Sequence, residues 1–191
     1  MNLLGHLYFS DNDVELMYAN LFGDSVKGRN FEQFPKKIAE GILLHRRIDH
    51  FIDSHESTVN LKRQLYEQLP KVAPIAIDLF YDHLLAKEWE NYSKLRYTDF
   101  LEKFYTYAPA LWEHYPEDFK RFIHRLRTHK WIDHYPTSFG LERLCEGVSA
   151  RLSFENNLKN APTVFLKRED IITAAFREFM TSATQEFLLS A

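Results

Sequence analysis

The chain has 191 residues, 45% hydrophobic and 27% charged, with a net charge of −3. These figures fit one globular domain with its own core. They exclude a disordered chain, a collagen and a coiled-coil rod, and the weak negative charge argues against a general nucleic-acid binder.

No apolar run approaches the roughly 20 residues that span a bilayer. Cys145 is the single cysteine, which excludes an internal disulfide and fits a reducing cytoplasm. The opening MNLLGHLYFSDND lacks a basic leader, so no signal peptide is expected. Six glycines, none clustered, leave no P-loop and no dinucleotide fingerprint.

Apolar residues recur every three or four positions along most of the chain, the period of an amphipathic helix. Val14, Met17, Tyr18, Leu21, Phe22 and Val26 predict a first helix over 14–26, capped by Asp11, Asn12 or Asp13 and stopped near Gly28. Pro35 opens a second helix reaching Ser54. Further helices are expected over 57–69, 75–89, 97–112, 116–135, 139–154 and 168–189, with Pro70, Pro74, Pro109, Pro116, Pro136 and Pro162 at the joints. No run alternates with period two. The expected fold is all-α: one compact domain of seven or eight helices over 1–191.

Ionisable residues interrupt the apolar pattern in three places. Asn20 and Asp24 are four apart on one helix face, and a carboxylate near a helix C-terminus asks for a cation, Lys27 or a metal. His45 and Asp49 repeat that spacing in GILLHRRID, with Asp53 a turn further on. A shared ion would use both, and so would a plain hydrogen bond that holds a core histidine. Asp78 and Asp82, with His83 beside them, fall in the most apolar helix; two carboxylates there repel unless a cation, a proton, Arg46 or Arg47 intervenes. His6 lies in an apolar segment and reads either as a packed histidine or as a ligand. A His/Asp set drawn from several helices suits a hard to intermediate divalent ion, manganese or magnesium before zinc, with iron possible. Such an ion activates water and screens phosphate oxygens, which points to phosphoester hydrolysis.

In this order, MNLLGHL, NLFGDSVKG, GILLHRRID and APIAIDLFYDHLLAKEW resemble the acyl carrier protein phosphodiesterase (acyl carrier protein hydrolase) family. KWIDHYP and GVSARL extend the likeness more loosely. The resemblance implies an HD-domain-like helical fold and a manganese-dependent enzyme of the cytoplasm. It also implies release of 4'-phosphopantetheine from holo-acyl carrier protein by hydrolysis of the phosphodiester to serine, within fatty acid metabolism. One departure stands out: no His–Asp dipeptide of the usual HD type occurs.

On this reading Asp24, His45, Asp49 and Asp82 hold the metal. Arg46 or Lys27 neutralises the phosphate, and His83 or His6 protonates the leaving oxygen. Asn20, Arg47 and Asp78 contact substrate. An acidic carrier protein calls for a basic face, expected at Arg121, Arg125, Arg127 and Lys130, a stretch with no acid inside it. Two alternatives stand beside this: an HD-like phosphohydrolase of a nucleotide or other small phosphoester, and a non-catalytic helical module that docks an acidic partner.

Overall fold

A computed structural model describes residues 1–188. Among them every regular element is helical: α1 (Leu3–Tyr8), α2 (Val14–Phe22), α3 (Lys36–Ser54), α4 (Glu56–Leu65), α5 (Ala73–Lys87), α6 (Tyr97–Thr106), α7 (Glu117–His129), α8 (Ser138–Ser149), α9 (Ala161–Lys167) and α10 (Glu169–Phe187), joined by short 3₁₀ turns. The expected all-α class holds, with ten α-helices rather than seven or eight. The two additions, α1 and α9, have six and seven residues, too short to show a period. The expected end of the last helix at Leu189 lies outside the described residues.

Several boundaries differ for local reasons. Pro74 lies inside the first turn of α5 rather than in the joint before it, because its missing N–H costs nothing there. Pro162 does the same for α9. The helix over 97–112 stops at Thr106, with Tyr107 extended ahead of Pro109. The helix over 116–135 ends at His129, where Lys130 turns left-handed with φ 46° and closes the cap. α2 ends at Phe22 rather than Val26. A Cβ on the next residue, Gly23, would lie 2.4 Å from the Cβ of His45, so only glycine lets the two elements meet there.

α5 runs through the centre, with Ile77, Leu79, Phe80, Tyr81 and Leu85 fully buried. α10 covers α4 and α5, α8 packs on α5, and α2 lies along α3. Gly41 makes the last contact possible: a Cβ there would sit 2.3 Å from Ala19 Cβ, 2.5 Å from Ala19 C and 2.7 Å from Asn20 N. Two of those neighbours are backbone and cannot yield. Gly41→Ala should therefore cost at least the upper end of the ~1–3 kcal/mol typical of overpacking, read as a lower urea midpoint at unchanged slope. An unshifted midpoint would refute this account of the α2–α3 contact.

Candidate metal centre

α1 is suspended from α5. The Asp82 carboxylate, fully buried, accepts hydrogen bonds from the N–H groups of Leu4 (2.8 Å), Gly5 (3.0 Å) and Asn2 (3.2 Å). These are free donors of a helix N-terminus, which favours negative charge. The Met1 ammonium bonds Asp78 at 3.1 Å beside them. Fixed in this way, α1 carries His6 to the face of α3 that bears His45 and Asp49.

There the imidazoles of His6 and His45 stack, with centroids 4.0 Å apart and planes 15° from parallel. Asp49 bridges them: its Oδ1 lies 3.3 Å from His6 Nε2 and its Oδ2 3.2 Å from His45 Nε2. His6 is 4% exposed and Asp49 46%, so the cluster is buried on one side and open on the other. Burial pushes the His6 imidazole down to about 4, leaving it neutral at pH 7. Burial disfavours charge on Asp49, but the hydrogen bond from His45 leads the opposing causes, and the carboxyl is held well below its usual range.

The cluster lies in a cleft of about 1030 Å³. Asp24, Asp53 and Asp78 line the cleft with it. The opposite wall carries Phe119, Phe122 and His129 of α7, Trp131 and His134 of the following turn, and Phe139 and Arg143 of α8, with Arg151 just beyond.

His6, His45 and Asp49 each offer one ligand atom, all within 4.8 Å of one another, and so form a possible metal-binding group. Two imidazoles and a carboxylate suit a divalent ion of intermediate to hard character. Three protein ligands facing an open cleft match a catalytic rather than a closed structural site. The buried Nδ1 of His45 has no partner among the described residues, and its Nε2 pairs with Asp49, itself a member of the group.

The other expected site residues are distributed as follows. Asp24 is exposed in the 3₁₀ turn after α2 and reaches the cleft rim. Asp82 points into α1, away from the two histidines. His83 lies off the cleft: its Nδ1–H donates to the Tyr135 carbonyl at 2.6 Å, and its ring meets Phe165 edge-on. Asn20 is fully buried behind His6. Arg46 donates to the Val26 carbonyl and lies over the Phe31 ring. Arg47 pairs with Glu186, and the ammonium of Lys27 reaches the Asp24 carbonyl at 3.3 Å.

In the stretch over 120–130, Arg121, Arg125 and Lys130 are exposed, and several of its basic groups carry surface ion pairs. Arg121 pairs with Asp118, Lys120 with Glu117, and Lys130 with Glu102. Arg127 turns inward onto Tyr18 and the Tyr107 carbonyl. The acids come from the preceding turn and from α6, outside the segment. Arg125 remains exposed.

The cleft residues of α7 and α8 were missed. Phe139, Arg143 and Gly147, four apart, share a face that Arg151 continues, a signal indistinguishable from a solvated surface until the fold opposes it to α1 and α3.

His83 offers a separate check. Burial lowers its pKa, with the bond to Tyr135 working the other way. Below about pH 6.5 the unfolded chain binds that proton more readily, so stability falls as pH falls. Compared at pH 7 and pH 5 in urea, wild type should lose more stability than His83→Gln, which keeps a donor toward Tyr135. Equal losses would show that His83 is not the group responsible.

No helix is long and apolar enough to cross a membrane. No solved structure matches the chain. Its sequence is similar to "Acyl carrier protein phosphodiesterase" from Enterobacter sp. (strain 638), 26% identical over 152 residues, and to proteins of the same name from Salmonella paratyphi A (29% over 156 residues) and Salmonella dublin (30% over 156 residues). Each of these alignments covers 79% of both chains. The family model described as acyl carrier protein phosphodiesterase matches residues 1–183, and with it the clustered histidines of α1 and α3 and the walls of the cleft fall within one family: the chain belongs to the acyl carrier protein phosphodiesterases.

Proposed function

We propose that this protein is a metal-dependent phosphodiesterase that converts holo-acyl carrier protein to the apo form by hydrolysing the bond between 4'-phosphopantetheine and serine. The observation that carries the reading is the His6–His45–Asp49 cluster at the floor of an open cleft, in a chain of this family. His6, His45 and Asp49 would hold the ion, with exposed Asp24 the next oxygen donor on the rim. We assign manganese, with magnesium or iron as substitutes, because no thiolate is present and the donors mix nitrogen with carboxylate oxygen. When bound, the ion supplies positive charge for the phosphoryl oxygens and acidifies water.

The chain's own residues do the rest. Arg151 presents a cationic group across the cleft, with Arg143 beside it paired to Glu146 at 2.6 Å, where a diester's non-bridging oxygens develop charge. His129 and His134 line that wall and are placed to protonate the leaving serine oxygen, a role His83 cannot fill while it is held by Tyr135. Phe122, Trp131 and Phe139 give an apolar wall for the uncharged arm beyond the phosphate. The acidic carrier protein docks at the mouth, toward these arginines and Arg125. We place the reaction in the cytoplasm, as the family resemblance implies.

Intact mass of a purified holo-acyl carrier protein decides the reading. Incubation with the protein and manganese should remove one phosphopantetheine unit, and chelator should prevent it. No loss from several carrier proteins, with folded protein and metal present, would overturn it.

A further inference from the structure

Behind His6 lies a buried polar chain that touches neither cleft nor solvent. Asn20 and Ser10 are both fully buried. The Asn20 amide nitrogen donates to the His6 carbonyl at 2.8 Å and to Ser10 Oγ at 3.1 Å. Ser10 Oγ in turn donates to the His6 carbonyl at 2.8 Å, which leaves its lone pairs free to accept from Asn20. Two acceptors on one side fix which end of the amide is nitrogen. The Asn20 oxygen must then face His6 Nδ1, and it lies 3.0 Å away. An amide oxygen only accepts, so Nδ1 carries the proton.

The consequence appears at the other ring nitrogen. A histidine ligates through an unprotonated nitrogen; with Nδ1 protonated that nitrogen is Nε2, whose lone pair then faces Asp49 Oδ1 across 3.3 Å. Two acceptors opposed at that distance repel unless a cation lies with them. His45 differs. Its Nε2 faces the other oxygen of Asp49, and its buried Nδ1 has no partner among the described residues. Nothing outside the cluster selects its tautomer, and the ionised Asp49 favours a proton on Nε2.

We propose that Asn20, braced by Ser10, is a positioning residue that locks His6 in the Nδ1–H tautomer and so makes it the preorganised metal ligand, while His45 is unlocked and must change tautomer to join it. An orienting hydrogen bond on the far nitrogen is what a ligating histidine needs. The metal half of this inference rests on the function proposed above. The tautomer half stands without it.

The test uses the full chain, labelled with ¹⁵N-histidine, stripped of metal by chelator and examined by long-range ¹⁵N–¹H NMR, with His6→Gln and His45→Gln assigning the two rings. His6 should show a protonated Nδ1 and a bare Nε2, and His45 a protonated Nε2. A wild-type His6 protonated at Nε2 overturns the lock. Asn20→Ala should scramble the His6 tautomer and weaken manganese binding by about 10–100-fold, read from free Mn²⁺ by electron paramagnetic resonance. Unchanged manganese affinity in folded Asn20→Ala overturns the coupling to metal. If that variant fails to fold, Ser10→Ala and the wild-type spectrum decide. The tautomer is read without metal or substrate, so a locked His6 in a protein that leaves holo-carrier protein intact counts against the hydrolase alone.

Discussion

Replacing Asp49 with asparagine should reduce turnover on the order of 10³-fold or more while leaving the fold intact. Asp49 pairs with both imidazoles, through different oxygens at 3.3 and 3.2 Å. Asparagine keeps the shape but removes the charge, and it puts an NH₂ where one oxygen stood. Loss of a partner behind a ligand costs about 10–100-fold, and loss of a proposed direct ligand should exceed that. Stability should change little, because Asp49 is 46% exposed and its two oxygens meet imidazole side chains rather than the ends of another helix. The two effects are read separately, by initial rate on holo-acyl carrier protein with saturating manganese and by thermal melting without metal. A folded Asp49→Asn that retains more than a tenth of wild-type turnover would remove Asp49 from the metal set.

The pair His45 and Asp49 was legible in the sequence because it depends only on helix geometry: four residues apart on a helix bring two side chains together wherever the helix packs. The all-α class was legible for a similar reason, since the three-to-four-residue period is local. Legibility failed where geometry is tertiary. His6 sits on a six-residue helix with no period of its own, and its partners are 14 and 43 positions away, at Asn20 and Asp49. Asp78, Asp82 and His83 lie on α5, which is apolar on nearly every side. Periodicity there could not say which neighbour each would face. Asp78 and Asp82 face the start of α1, whereas His83 faces Tyr135. The ion pairs of the basic stretch over 120–130 and the inward turn of Arg127 were not legible, because the partners lie outside it. In each case the residue types were visible and the partner was not.

Asp82 tests that distinction most severely. On the sequence alone it is a metal ligand; in the structure its oxygens are taken up by three N–H groups at the start of α1. Asp82→Ala would strand those donors in a buried place, at about 1–3 kcal/mol for each one left without a partner. Burial pushes the Asp82 carboxyl up to about 7, against the pull of the Met1 ammonium and the two helix N–H groups, so the hydrogen bonds rather than a full ion pair set the loss. Relaxation of so short a helix offsets part of the sum, so the expected loss is about 3–5 kcal/mol. At roughly 2–4 °C per kcal/mol for a domain of this size, the melting temperature should fall by about 10 °C. Activity should suffer as a consequence, because α1 holds His6 against His45 and a loosened α1 no longer presents it. The order of events separates the two roles. A positioning carboxylate gives a variant that melts early but still binds manganese at low temperature, where α1 is docked. A ligand gives a variant that melts normally and has lost its metal. The three hydrogen bonds to α1 argue for the first outcome, and the second would return Asp82 to the metal centre.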